Sequence, residues 1–286
     1  MSVQKSISRT LKPETILANF SRYLYAQCGL GETTVGNYIS TMKRIFPILG
    51  THPTARAVEQ HIADMRKAGK SHSHQVNTSI ALERYGDFIH VKIRLARPRQ
   101  PKTLISGTLS EAEMARFIGS AKNLRERAIL GLLAYSGLRN KELCCLRVRD
   151  LDAGAGALRI YGSKMGKDRV VVISPGCMSL MTEYLKERGG ESGDLMFLTV
   201  RAKHQMQTQD LRKMVRTIAK RAGITKRVYP HLVRHSLATN LLTRGAGLLA
   251  IKEQLGHVYI ETTMRYIHSA PARLQEEYRM YAPSYL

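Results

Sequence analysis

The chain has 286 residues, long enough for two domains with separate cores, and its 43% hydrophobic content excludes a largely disordered polymer. It carries 45 Lys+Arg against 22 Asp+Glu, a formal charge of +23, spread as 14 basic and 6 acidic side chains in residues 1–98 (+8) and the remaining +15 beyond. Charge distributed in this way points to a polyanion, nucleic acid before an anionic membrane, because each neutralised phosphate releases counterions. No apolar run approaches the roughly 20 residues needed to span a bilayer, and residues 1–6 lack an apolar signal core, so a soluble, cytoplasmic protein is expected. Cys28, Cys144, Cys145 and Cys177 have neither metal-ligand spacing nor a disulfide framework, which fits a reducing compartment.

Along the chain, Ile16, Phe20, Tyr23 and Leu24 recur at helical spacing. A second helix carries Val35, Ile39, Met42 and Phe46, with Thr33 and Thr34 as capping candidates and residues 50–53 as a connection. Further helices are expected at about 55–67 and 73–90, with residues 71–74 (Ser-His-Ser-His) read as a polar loop rather than a metal site. Residues 1–96 thus form a small helical domain. Residues 97–107, which include Arg97, Pro98, Arg99, Pro101 and Lys102, read as an extended basic linker.

Beyond it, Ser110 and Glu113 have capping-box spacing, and the apolar run 128–135 predicts a core helix that Gly137 stops. Cys144 and Cys145 read as core. The period then changes. Leu158, Ile160 and residues 170–173 are strand-like and flank a turn at 162–168. Helices are predicted again at about 175–188, 207–222, 231–244, 247–255 and 270–281. The fold class is mainly α with a small antiparallel sheet, in two domains, with residues 108–286 forming the second.

Four stretches stand out within residues 108–286. They are 136–143 (Ser-Gly-Leu-Arg-Asn-Lys-Glu-Leu), the turn with Lys164 and Lys167, His231-Leu232-Val233-Arg234-His235, and Leu255-Gly256-His257 followed nine residues later by Tyr266. In order and spacing they resemble the boxes of the tyrosine site-specific recombinases. The N-terminal helices are similar to that family's core-binding domain. The resemblance implies a two-domain clamp on duplex DNA and a 3′-phosphotyrosyl intermediate. It implies four protomers exchanging strands through a Holliday junction, with possible accessory proteins and neither metal nor ATP. The helical pattern starts near Pro13, so a Xer-like layout without a separate arm-binding domain is expected. The role is then either resolution of chromosome or plasmid dimers, or integration and excision of a mobile element.

The chemistry of these residue types is consistent with that resemblance. Arginine stays protonated and its planar fork meets two phosphate oxygens at once, so Arg139 and Arg234 are candidate clamps. Tyr266 is the candidate nucleophile among 13 tyrosines, chosen by the family's spacing. His231, three residues before Arg234, can share its helix face and accept the phenolic proton, and His257 can donate to a non-bridging oxygen. Lys164 or Lys167 would protonate the departing 5′-oxygen, Lys164 being the better match. Glu142 would orient an arginine and His235 support packing. Lys43, Arg44, Arg97, Arg99, Lys102 and Lys167 are candidate phosphate contacts. A type IB topoisomerase and a non-catalytic DNA-binding regulator are the competing readings.

Overall fold

The structure is a computed structural model and describes residues 11–98, 107–162, 168–200 and 204–256. Within the chain, residues 1–102 and 103–286 form separate compact units.

The described residues of the first unit pack as four helices: α1 (Pro13–Ala26), α2 (Glu32–Leu49), α3 (Ala55–Lys67) and α4 (His72–Phe88). Their apolar stripes meet in a core that includes Phe20, Leu24, Met42, Val58, Leu82 and Tyr85. Phe20 meets the edge of Tyr85 at 5.1 Å between ring centroids. The Tyr85 hydroxyl donates to the Thr51 carbonyl at 2.7 Å, so burying this phenol leaves no unmet donor.

Two N-termini differ from expectation. Gly31, rather than Thr33 or Thr34, caps α2: its extended backbone turns its carbonyl into the helix to accept from Thr34 and Val35. Ser71 caps α4 through its Oγ, and His72 to His74 form the first helical turn rather than a loop. His72 Nε2 lies 3.0 Å from the Pro98 carbonyl, and Arg66 donates to the Ala96 carbonyl at 2.6 Å, which seats residues 96–98 on α3 and α4.

The second unit begins at α5 (Glu111–Gly119), whose N-terminus closes the Ser110–Glu113 capping box. Next come α6 (Leu124–Ser136), α7 (Asn140–Cys145), a 3₁₀ turn (Val148–Asp150) and strands β1 (Leu151–Asp152), β2 (Ala157–Ile160) and β3 (Arg169–Val172). The sheet is antiparallel in the order β1-β2-β3, with Leu158 opposite both Leu151 and Val171. Strand β1, too short to leave an alternating pattern, is absent from the sequence reading. Helices α8 (Pro175–Arg188), α9 (Thr208–Arg221), α10 (Pro230–Thr243) and α11 (Leu248–Leu255) complete the described part.

Helix α6 is the hub. Ala128, Ile129, Leu130, Leu132 and Leu133 are all fully buried, so it is apolar around its circumference and packs between α8 and α10. Cys144 joins this core, but Cys145 is exposed, because successive helical residues point about 100° apart and cannot share one buried face. On α10, the Ser236 hydroxyl donates to the Leu232 carbonyl and accepts from the Leu109 amide at 2.8 Å, pinning the segment that leads into α5.

Candidate active site

Helices α6 and α11 end in the same way. Each stops at a glycine in the left-handed conformation, Gly137 (φ +63°) and Gly256 (φ +64°), and each C-terminus leaves carbonyls without intrahelical partners. A helix C-terminus carries partial negative charge, which favours a nearby cation. Guanidinium groups occupy both ends.

Arg234, on α10, is 1% exposed and is the largest fully buried side chain among the described residues. One terminal nitrogen donates to the Gly137 carbonyl and the other to the Leu255 carbonyl at 2.6 Å. Arg139, at the N-terminus of α7, donates from Nη2 to the Gly256 carbonyl at 2.6 Å and from Nη1 to Glu142 Oε1 at 2.7 Å. The first arginine stretch, the histidine-arginine stretch and the residue preceding His257 are thereby bonded into one site.

Glu142 lies at the centre. Its carboxylate also accepts from the Arg139 backbone N–H at 2.8 Å, and from Arg169 Nη1 and Nη2, each at 2.8 Å. Burial pushes this carboxyl up. The hydrogen bonds from Arg169 and then Arg139, with the charge of Arg169, outweigh burial and hold it at about 2. Glu142 is therefore ionised at neutral pH.

His231 and His235 lie one turn apart on α10, with ring centroids 4.4 Å apart and planes at 73°. The His231 ring reaches the surface on one side. Loss of water on the other, followed by the positive fields of Arg234 and Arg139, holds its pKa below the ordinary histidine value. At neutral pH it is an unprotonated imidazole able to accept a proton. Glu142 also borders a cleft of about 230 Å³ whose charged lining is mixed, Arg147, Arg149 and Arg159 facing it with Asp150.

The structure thus brings together Arg139, Glu142 and Arg234, with His231 and His235 alongside on α10. Lys43 and Arg44 are exposed on α2, while the Arg97 guanidinium lies against the Glu83 carboxylate. Lys164, Lys167, His257, Tyr266, Arg99, Lys102 and the helix expected at 270–281 lie outside the described residues. Sequence reasoning overlooked Arg169 and Gln254. The Gln254 amide bridges the Val172 N–H and carbonyl and reaches the Tyr135 carbonyl at 3.3 Å, joining β3 to α11 and α6. Neither residue has a local signal, since their partners are 27 and 82 positions away for Glu142 and Val172.

Residues 108–273 match the model of the phage integrase family. The chain is 34% identical over 267 residues to the tyrosine recombinase XerA of Pyrococcus horikoshii, covering 91% of each. Among solved structures, it is similar to that of XerA recombinase, with a TM-score of 0.57 at 27% identity, covering 96% of this chain and 100% of that one. The fold also matches XerH site-specific recombinase bound to its palindromic difH substrate after cleavage, with a TM-score of 0.71 at 20% identity over 93% of this chain and 85% of that one.

Proposed function

The chain belongs to the phage integrase family and is a tyrosine recombinase, an enzyme that breaks and rejoins DNA strands; on that premise, we propose that Arg139, Arg234, His231, His257, Lys164 and Tyr266 carry the reaction on a specific duplex site. The Tyr266 hydroxyl oxygen attacks the scissile phosphorus in line and the bond from phosphorus to the 5′-oxygen breaks. His231 takes the phenolic proton and Lys164 supplies one to the departing 5′-oxygen. The phosphotyrosyl ester conserves the energy of the broken bond. Attack on it by a 5′-hydroxyl from the partner strand reseals the backbone and frees Tyr266, with no ATP consumed.

Arg139 and Arg234 neutralise the charge that builds on the non-bridging oxygens, and a donor of this kind contributes about 3–4 kcal/mol to the transition state. The lowered pKa of His231 suits a base that works near neutrality. Strand exchange proceeds in pairs through a Holliday junction, with four protomers on two sites in the cytoplasm. The first unit, with Lys43 and Arg44 exposed, and the basic stretch with Arg97, Arg99 and Lys102 bind the flanking duplex.

The observation that carries this reading is the joining of Arg139 and Arg234 through the Gly137, Leu255 and Gly256 carbonyls, directly before His257. The test incubates the full chain with a randomised pool of nicked duplexes and sequences the DNA that stays attached in SDS. Adducts enriched in one half-site, and lost in Tyr266→Phe, are expected. Adducts without sequence enrichment would indicate a site-indifferent topoisomerase, and DNA binding without any adduct would count against the assigned chemistry.

A further inference from the structure

A carboxylate offers about four acceptor positions, and Glu142 has four donors on them. Two come from Arg169, one from the Arg139 backbone and only one from the Arg139 side chain. Left alone with a carboxylate, an arginine favours the two-pronged pairing in which both terminal nitrogens are taken. Arg139 does not adopt it here, because Arg169 already holds both Glu142 oxygens. Its Nη2 instead points to the Gly256 carbonyl. Arg139 is also the more open of the two cations: its side chain is 29% exposed, against 11% for Arg169.

Gly256 shows how tightly Arg169 is seated. A Cβ at that position would lie 2.6 Å from Arg169 Cδ and Nε, so only glycine lets the end of α11 close over this side chain. Arg169 therefore bonds the carboxylate of the first arginine stretch and lies against the residue before His257, while starting strand β3, which follows Lys164 and Lys167 in the sequence.

We propose that Arg169 is a positioning residue for strand cleavage: by occupying both oxygens of Glu142 it prevents that carboxylate from capturing both prongs of Arg139, and so holds Arg139 Nη2 on the Gly256 carbonyl, at the residue before His257, in the orientation that presents the guanidinium to the scissile phosphate. The inference rests on the function proposed above, deepens it, and assigns Arg169 no contact with DNA. Removing Arg169 opens two acceptor positions on Glu142, and Arg139, already bonded to Oε1 through Nη1, can turn Nη2 onto the other oxygen. The other charged groups beside Glu142, namely Arg147, Arg149, Asp150 and Arg159, line the adjoining cleft and are unchanged by the substitution.

The experiment measures the first-order rate of SDS-stable complex formation on a nicked duplex at saturating protein, with DNA affinity measured separately. Arg169→Met is expected to slow this step about 100-fold, the scale of a misplacement near 1 Å, and to leave DNA affinity nearly unchanged. The discriminating variant is Arg169→Met/Glu142→Gln. Because the amide no longer attracts Arg139 as an anion, this pair is expected to react faster than Arg169→Met alone. A simple strut linking β3 to α7 would give the opposite order, with the double variant as slow or slower, and that result would overturn the inference. If Arg169→Met does not fold, Arg169→Lys with and without Glu142→Gln makes the same comparison, since one ammonium leaves an acceptor position open. Complex formed by the unmodified chain with the wrong order among variants refutes this inference alone. No complex from the unmodified chain overturns the proposed function and this inference with it.

Discussion

At the residue scale, Glu142 shows which of two opposed effects wins. With its side chain 9% exposed, it loses most of its hydration, yet the hydrogen bonds from two guanidiniums and a backbone N–H keep it ionised down to about pH 2. A carboxyl pKa lowered in the folded state stabilises the protein above the ordinary value of 4.5 and withdraws that support as pH falls towards about 2. The contribution at neutral pH is on the order of 3 kcal/mol. Glu142→Gln should therefore lower stability at pH 7 and flatten its decline between about pH 5 and pH 2, as measured by urea titrations across that range. An unchanged acid slope would mean that Glu142 is not held by these cations.

Arg234 carries a fixed charge that is almost wholly removed from water. Its box marked it for chemistry, but nothing in the sequence announced that it would be the largest fully buried side chain among the described residues, since arginine is rarely fully buried unless paired. Its burial becomes intelligible only once α6 and α11 deliver two carbonyls to its fork.

At the scale of elements, the left-handed glycine ends of α6 and α11 do the organising. Gly137 has φ +63°, and a Cβ there would lie 2.5 Å from Cδ2 of the fully buried Leu255 and 3.1 Å from Cδ2 of Leu237. Gly137→Ala thus combines backbone strain with overpacking, and a loss of about 2–4 kcal/mol is expected in thermal or denaturant unfolding. Because the Gly137 carbonyl also seats Arg234, the variant's cleavage rate should fall even under conditions where it is folded. A substitution without effect on stability would contradict this account of the helix end.

The helix ends that were legible had local chemistry: the Ser110–Glu113 box, and Gly137 after an apolar run. Those that were missed lacked it. The α2 cap is a backbone carbonyl from Gly31, which competes poorly on paper with two threonines just beyond it. Cys145 was misread because adjacency in sequence was taken for a shared face.

At the scale of the molecule, the positive charge and the four ordered stretches were enough to point to DNA and to a family, and the small sheet among helices followed from the change of period at residues 158–173. The connections between those stretches were not legible. They run through Glu142, Arg169 and Gln254, whose partners lie far along the chain and are fixed only by tertiary packing. Sequence thus named the separate chemical groups, and the fold explains how Arg139 and Arg234 come to be held in one place.

The proposed function requires the charge assembled around Glu142 to serve a covalent attack by one tyrosine out of 13. Its most direct test is to digest the SDS-stable adduct with trypsin and nuclease and determine the mass and linkage of the modified peptide. The expected product is the peptide containing Tyr266 joined to a 3′-phosphorylated nucleotide, with a free 5′-hydroxyl on the other side of the break. A nucleotide attached to any other residue, or to Tyr266 through a 5′-phosphate, would overturn the assignment of Tyr266 as the nucleophile that forms a 3′-phosphotyrosyl link.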